Sequence, residues 1–165
     1  MIILATDPGT TETAWVLYDT ETKLPISHAK EPNTVYRQRL RDGELQFDEL
    51  AVEMIASYGM PVGREVFETC VWIGLFAEAQ KATWYFIYRK DVKMHLCGTT
   101  RAKDSNVTQA IADRYAGTIN KAKGTKKEPG PLYGFSYDVW AAMGVAITAA
   151  ETEERNVLSA INFVG

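Results

Sequence analysis

Apolar residues along the chain fall into short runs separated by polar, glycine- and proline-bearing stretches, and the period of each run predicts its element. Met1 to Asp7 is apolar and β-prone, and Pro8-Gly9-Thr10-Thr11 turns the chain into a second such run, Thr13 to Tyr18, so the opening predicts a hairpin. After a turn at Asp19 to Lys23, a short third strand is expected at Leu24 to Ala29, followed by a polar stretch with Arg37, Arg39 and Arg41. Leu50 to Ile55 reads as a buried strand in which Glu53 is the one charged residue, and Ser57 to Gly63, with two glycines and a proline, as a loop. Aromatic and branched content makes Trp84 to Tyr88 a further strand.

Arg64 to Lys81 suits a helix whose Cys70 to Ala77 portion is apolar almost all the way round. Such a helix needs cover on two sides, either from the sheet and a partner subunit or from a wholly internal position. Val107 to Tyr115 also reads as a helix. Gly117 to Pro131 has no apolar period and four lysines, which predicts a mobile basic loop. Asp138 to Glu153 predicts a last helix, with Asp138 at the end where orphan amides favour a carboxylate. Its Ala141, Ala142, Gly144, Ala146, Ala149 and Ala150 would let its backbone approach a sheet closely. The order of elements predicts an α/β fold, a central mixed sheet of about five strands flanked by helices.

Composition bounds this picture. With 165 residues and 46% hydrophobic content, a single domain over 1–165 is expected. No apolar run reaches the roughly 18 residues of a membrane span, and MIILATDPG has neither the charged start nor the cleavage site of a signal peptide, so a cytoplasmic protein is expected. Cys70 and Cys97 lack zinc spacing and suit reduced, buried thiols, one in the apolar helix and one beside an expected strand end. The net charge of −3 argues against a nucleic-acid binder until its distribution is examined. Residues 89–127 hold ten Lys or Arg against three Asp, giving +7, so the remainder carries −10. A basic third on an acidic body can neutralise phosphates locally while limiting indiscriminate adhesion to DNA. Read alone, such a charge run is equally a solvated face.

Three carboxylates sit where an acid is unwelcome for packing. Asp7 ends an apolar strand, Glu53 interrupts another, and Asp138 opens the small-residue helix. Singly, Asp7 fits a turn residue and Asp138 a helix cap. If the strands are neighbours and the last helix crosses them, the three acids meet. Clustered carboxylates raise one another's pKa unless a cation neutralises them, which predicts a bound hard metal. Mg²⁺, with Mn²⁺ as substitute, suits an oxygen-only site, and one or two ions would serve phosphodiester cleavage. Tyr58, in the loop after the Glu53 strand, is placed either to pack or to stack on an exposed base. His28 and His95 have no spacing that suggests a base or a metal site.

At this point the motifs acquire a family likeness. ILATDPGTTETAWVLYD resembles the opening of RuvC-family Holliday-junction resolvases, in the RNase H-like superfamily, and LAVEMIASYG resembles their glutamate-bearing strand and following loop. DVKMHLCGTTRAKDSNV is similar to the family's V-K…G…A-K-S run, and SYDVWAAMGVAITAA to its terminal acid-plus-alanine helix. The four motifs fall in the family's order and cover most of the chain. The resemblance implies an RNase H-like fold and a Mg²⁺-dependent endonuclease that resolves four-way DNA junctions as a homodimer, with a diverged phage-type member suggested by the short chain. It implies that Asp7, Glu53 and Asp138 are catalytic and metal-binding. Lys93 and Lys103 match basic residues near the scissile phosphate and DNA backbone, with Arg101 beside them, and Lys121, Lys123, Lys126 and Lys127 would extend the phosphate contacts.

The chain departs from the family's pattern in two places. Asp104 falls where the family often has lysine. A fourth acid three residues from Asp138 is missing, since Phe135 and Ala141 stand there, and Glu151 lies about 20 Å further along the helix. Two alternatives follow. One is a branched-DNA-binding module without catalysis, motivated by the missing acid. The other is an actin-like or sugar-kinase nucleotide-binding domain, motivated by D-P-G-T-T but short of the second domain those proteins need.

Overall fold

The computed structural model describes residues 1–152 of the chain. Five strands form one sheet in the order β3-β2-β1-β4-β5. β1 (Ile2–Pro8), β2 (Glu12–Asp19) and β3 (Leu24–Pro32) make an antiparallel meander, and α1 (Asn33–Asp42) then leads to β4 (Glu49–Met54). α2 (Arg64–Glu78) connects β4 to β5 (Thr83–Tyr88), and both strands run parallel to β1. α3 (Arg89–Cys97), α4 (Asp104–Tyr115), α5 (Ile119–Lys123) and α6 (Tyr137–Glu151) complete the chain.

The period-two alternation of the strands sorts their residues onto two faces. Leu4, Trp15, Leu17, Leu50 and Val52 face α1 and α2, where they pack with Tyr36, Leu40, Ile73 and Phe76. Ile3, Ala5, Ala14, Val16, Ala51 and Tyr85 face the other layer, built from α6 with α3 and α4. α6 is buried along its length, from Val139 to Ala149. Its small residues have the use their pattern suggests: a Cβ on Gly144 would lie 3.0 Å from Val92 Cγ1, so α3 packs directly on the helix backbone.

Several expectations change. The polar stretch with Arg37, Arg39 and Arg41 is helix α1, whose buried stripe is only Asn33, Tyr36 and Leu40 beneath an arginine-rich outer face. Residues 89–97 form a helix, so Cys97 ends α3 and does not flank a strand; only Val92 is fully buried there, too little for an apolar period. Both cysteines are free and half-buried. β3 runs on to Pro32 because its ladder to β2 continues through a polar edge, with Glu12 opposite Pro32.

The segment 117–131 is not the structureless loop its composition predicts. It contains α5 and a bridge between Gly124 and Pro129, anchored by buried Ala122 and Leu132. Gly130 lies so close to the Ala122 carbonyl that a Cβ would stand 2.3 Å from it. α2 ends at Glu78, three residues before Lys81, and buries a single stripe of Thr69, Ile73 and Phe76. It is therefore not wholly internal: in the single chain its outer face is open, with Phe67 and Val71 62% and 63% exposed. The last helix is described to Glu151, and the expected end at Glu153 lies outside the described residues. No helix among the described residues is long and apolar enough to cross a membrane.

Candidate active site at the carboxyl ends of the parallel strands

β1, β4 and β5 are parallel, so their carboxyl ends lie side by side, the place where open α/β sheets assemble sites. Asp7 follows Thr6, which pairs with Val52, and this register sets Asp7 beside Glu53. Alternation puts both on the α6 face, because Ala5 and Ala51 point there. Asp138 sits in the first turn of α6, whose N-terminus faces the same region.

Asp7 and Asp138 line one open pocket of about 320 Å³ with Gly9, Thr10, Thr11, Glu12 and Lys30. Asp7 also lies close enough to Glu53 for a carboxyl–carboxylate hydrogen bond when it carries a proton. Burial, then the negative charge of Glu53, pushes the Asp7 carboxyl up from 3.8 to about 8, against the opposing pull of Arg89. Glu53 is also raised, mainly by burial. Its side chain is 11% exposed, and its Oε2 is buried with no hydrogen-bond donor once Asp7 is ionised.

Two cations stand against these acids. Lys30, brought from β3 opposite Ala14, places Nζ 2.6 Å from Asp138 Oδ2 and 3.4 Å from Glu12 Oε2. The pair is about one-third exposed on each side. Arg89, the first residue after β5, puts Nη1 3.4 Å from Glu53 Oε1 and Nη2 2.8 Å from Asp104 Oδ1. Asp104 is approached as well by Lys93 Nζ at 3.6 Å and by the Tyr137 hydroxyl at 3.3 Å. Although burial opposes it, the Arg89 hydrogen bond and charge hold the Asp104 carboxyl below its usual range.

The structure thus joins Asp7 with Glu53 and, across the pocket, with Asp138. Among the described residues, no three or more His, Cys, Asp or Glu side chains stand close enough to hold a metal ion as they lie. Asp138 is turned to Lys30 and Glu53 to Arg89, which accounts for the open set. The donors nonetheless fit a hard cation: they are all oxygen, one is a buried orphan, and Asp7 retains a proton for want of a better counter-charge.

The expected DNA-contacting residues divide. Lys93 is drawn into the site through Asp104. Arg101, Lys103, Lys121, Lys126 and Lys127 are exposed, Lys123 is half-buried, and none of the six forms an ion pair among the described residues. Tyr58 is 61% exposed at φ +46°, with Lys90 Nζ 5.5 Å from its ring centre. Lys30, Arg89 and Tyr137 were not singled out from sequence. Arg89 carried a partial signal: it shares parity with inward Ile87 at the end of an expected strand, but the parallel register that brings it to Glu53 is set only by folding. Lys30 carried none, because its place depends on how far β3 extends.

A scan against protein-family models gives no match, and a search of curated proteins gives none. Solved structures do match. The Thermus thermophilus RuvC structure superposes with a TM-score of 0.62 at 18% identity, covering 91% of this chain and 93% of that one. T. thermophilus RuvC in complex with a Holliday junction substrate gives 0.65 at 15% identity with the same coverage. The fold is that of these RuvC structures, matched over nearly the whole length of both chains.

Proposed function

We propose that this chain is a divalent-metal-dependent endonuclease, one nuclease domain that cuts branched DNA, with the four-way junction as its substrate. The observation that carries the reading is the position of Asp7: a carboxyl at the end of the central strand, against buried Glu53 and sharing a pocket with Asp138 at a helix N-terminus. The likeness to a RuvC solved with a Holliday junction supports the choice of substrate.

Asp7, Glu53 and Asp138 would hold the ion, Mg²⁺ or Mn²⁺. When bound, it supplies charge neutralisation at the phosphate and lowers the pKa of a water toward neutrality. The chain's own groups do the rest. Asp7 gives up the proton it holds near pH 8, so its carboxylate becomes available. The first-turn amides of α6 favour negative charge beside Asp138. Arg89 and Lys93 offer positive charge where a phosphate would approach, and Lys30 must leave Asp138 for that carboxylate to ligate. A junction has near two-fold symmetry, so paired cuts call for a C2 homodimer. The exposed Phe67–Val71 stripe of α2 suits its interface. Tyr58, Arg101, Lys103, Lys121, Lys123, Lys126 and Lys127 would extend contact with the DNA.

The test is a labelled four-way junction incubated with Mg²⁺ and the native chain, Asp7→Asn or Glu53→Gln. Paired symmetric nicks are expected, slowed by about 10²-fold or more in each variant, as when one preorganised electrostatic group is deleted. Equal nicking by all three proteins would refute the reading. The open ligand set favours one competing reading, a module that binds junctions without cutting them. It predicts a shifted but intact junction with the native chain.

A further inference from the structure

The two cations at the site differ in how firmly they are held. Lys30 reaches Asp138 from the edge strand with an amine about one-third exposed in an open pocket, and a competing ion displaces such a contact at small cost. Arg89 is 27% exposed, lies at the junction of β5 and α3, and is braced between Glu53 and Asp104. Its guanidinium does not deprotonate; Nη2 hydrogen-bonds Asp104, while Nη1 is buried without a hydrogen-bond partner, 3.4 Å from Glu53 Oε1.

We infer that Arg89 occupies the place of a second metal ion, so that the chain binds a single divalent cation on the Asp7–Asp138 side of the site. Charge balance points the same way. Asp7, Glu12, Glu53, Asp104 and Asp138 contribute −5 when ionised and Lys30, Arg89 and Lys93 contribute +3, which leaves a deficit of two that one divalent ion cancels. The buried orphan Glu53 Oε2 leaves that residue one oxygen for the ion while Oε1 faces Arg89. The missing fourth acid follows as well: a chain that holds one ion needs fewer carboxylates than a chain that holds two. Arg89 would then take the second task of a two-ion centre, stabilising charge on the phosphate, through a guanidinium suited to phosphate oxygens.

This inference rests on the metal-dependent reading, and the experiment separates the two. Mn²⁺ is titrated into the full chain without DNA, and bound ions are counted by calorimetry and by electron paramagnetic resonance. One ion per chain is expected for the native protein and for Arg89→Lys, two for Arg89→Met, and none for Asp7→Asn. Two ions on the native chain overturn the inference whatever the variants do, including a case in which Arg89→Met does not fold. One ion on a folded Arg89→Met, checked by circular dichroism, overturns it while leaving the metal-dependent reading intact. No bound ion on the native chain sinks both.

Discussion

Asp7 carries an unusual load for a strand-end aspartate, and its titration is the most direct handle on the site. Its folded pKa of about 8 exceeds the ordinary 3.8, so between these values the folded chain binds a proton that the unfolded chain has released. Stability in chelator therefore falls as pH rises from about 4 to about 8 and levels off above. Melting temperatures measured across that window should decline for the native chain and decline less for Asp7→Asn, which removes one of the two raised carboxyls. Adding Mn²⁺ should reverse the decline, because an ion replaces the proton as counter-charge. Lys30 is the other residue with a clear expectation. Its contact with Asp138 competes with any ion there, so Lys30→Met should tighten Mn²⁺ binding about twofold to fivefold by calorimetry, the worth of an exposed ion pair.

The turn that presents Asp7 is itself built from two elements. Asn33, at the start of α1 and 1% exposed, donates from Nδ2 to the Gly9 carbonyl at 2.9 Å and accepts at Oδ1 from the Thr13 hydroxyl at 2.6 Å. Its own N–H donates to the Thr11 carbonyl. Asn33→Ala leaves buried partners unsatisfied, and a loss of about 2 kcal/mol in urea unfolding is expected. Gly9 belongs to the same clamp, since a Cβ there would stand 2.6 Å from the Glu12 carbonyl oxygen. On the opposite layer, Gly144→Leu should cost about 1–3 kcal/mol by driving a side chain into Val92 on α3. The consequence is local: α6, which carries Asp138, and α3, which carries Lys93, would be pushed apart.

Taken whole, the chain joins an acidic body to a basic segment, and its behaviour toward DNA should follow the segment. Lys121, Lys126 and Lys127 stand exposed without ion-pair partners among the described residues. Replacing all three with alanine should weaken junction binding and reduce the slope of log affinity against log salt by about one unit for each phosphate that is no longer neutralised, measured by fluorescence anisotropy. The overall −3 conceals this segment, because the acidic body outweighs it. The exposed α2 stripe belongs to the same level of organisation. If this stripe forms the proposed two-fold interface, the native chain sediments as a dimer and Val71→Glu as a monomer, with single nicks replacing paired ones.

Period and residue type in the chain were enough to place the hairpin, the Glu53 strand, the aromatic strand β5 and the alanine-rich α6, because each buries a dense apolar run against a neighbour. Parity puts Asp7 and Glu53 on one face only once β1 and β4 pair in the observed register. Helices α1 and α3 were hidden by the same logic, since each buries too few side chains for a period to show beneath its charged residues. The site's cations were decided only by folding. Lys30 meets Asp138 across more than a hundred residues, and Arg89 meets Glu53 and Asp104, through strand extension and parallel register that no local pattern encodes. A carboxylate's need for a counter-charge is legible in a sequence, whereas the identity of the charge that answers it depends on which strands become neighbours.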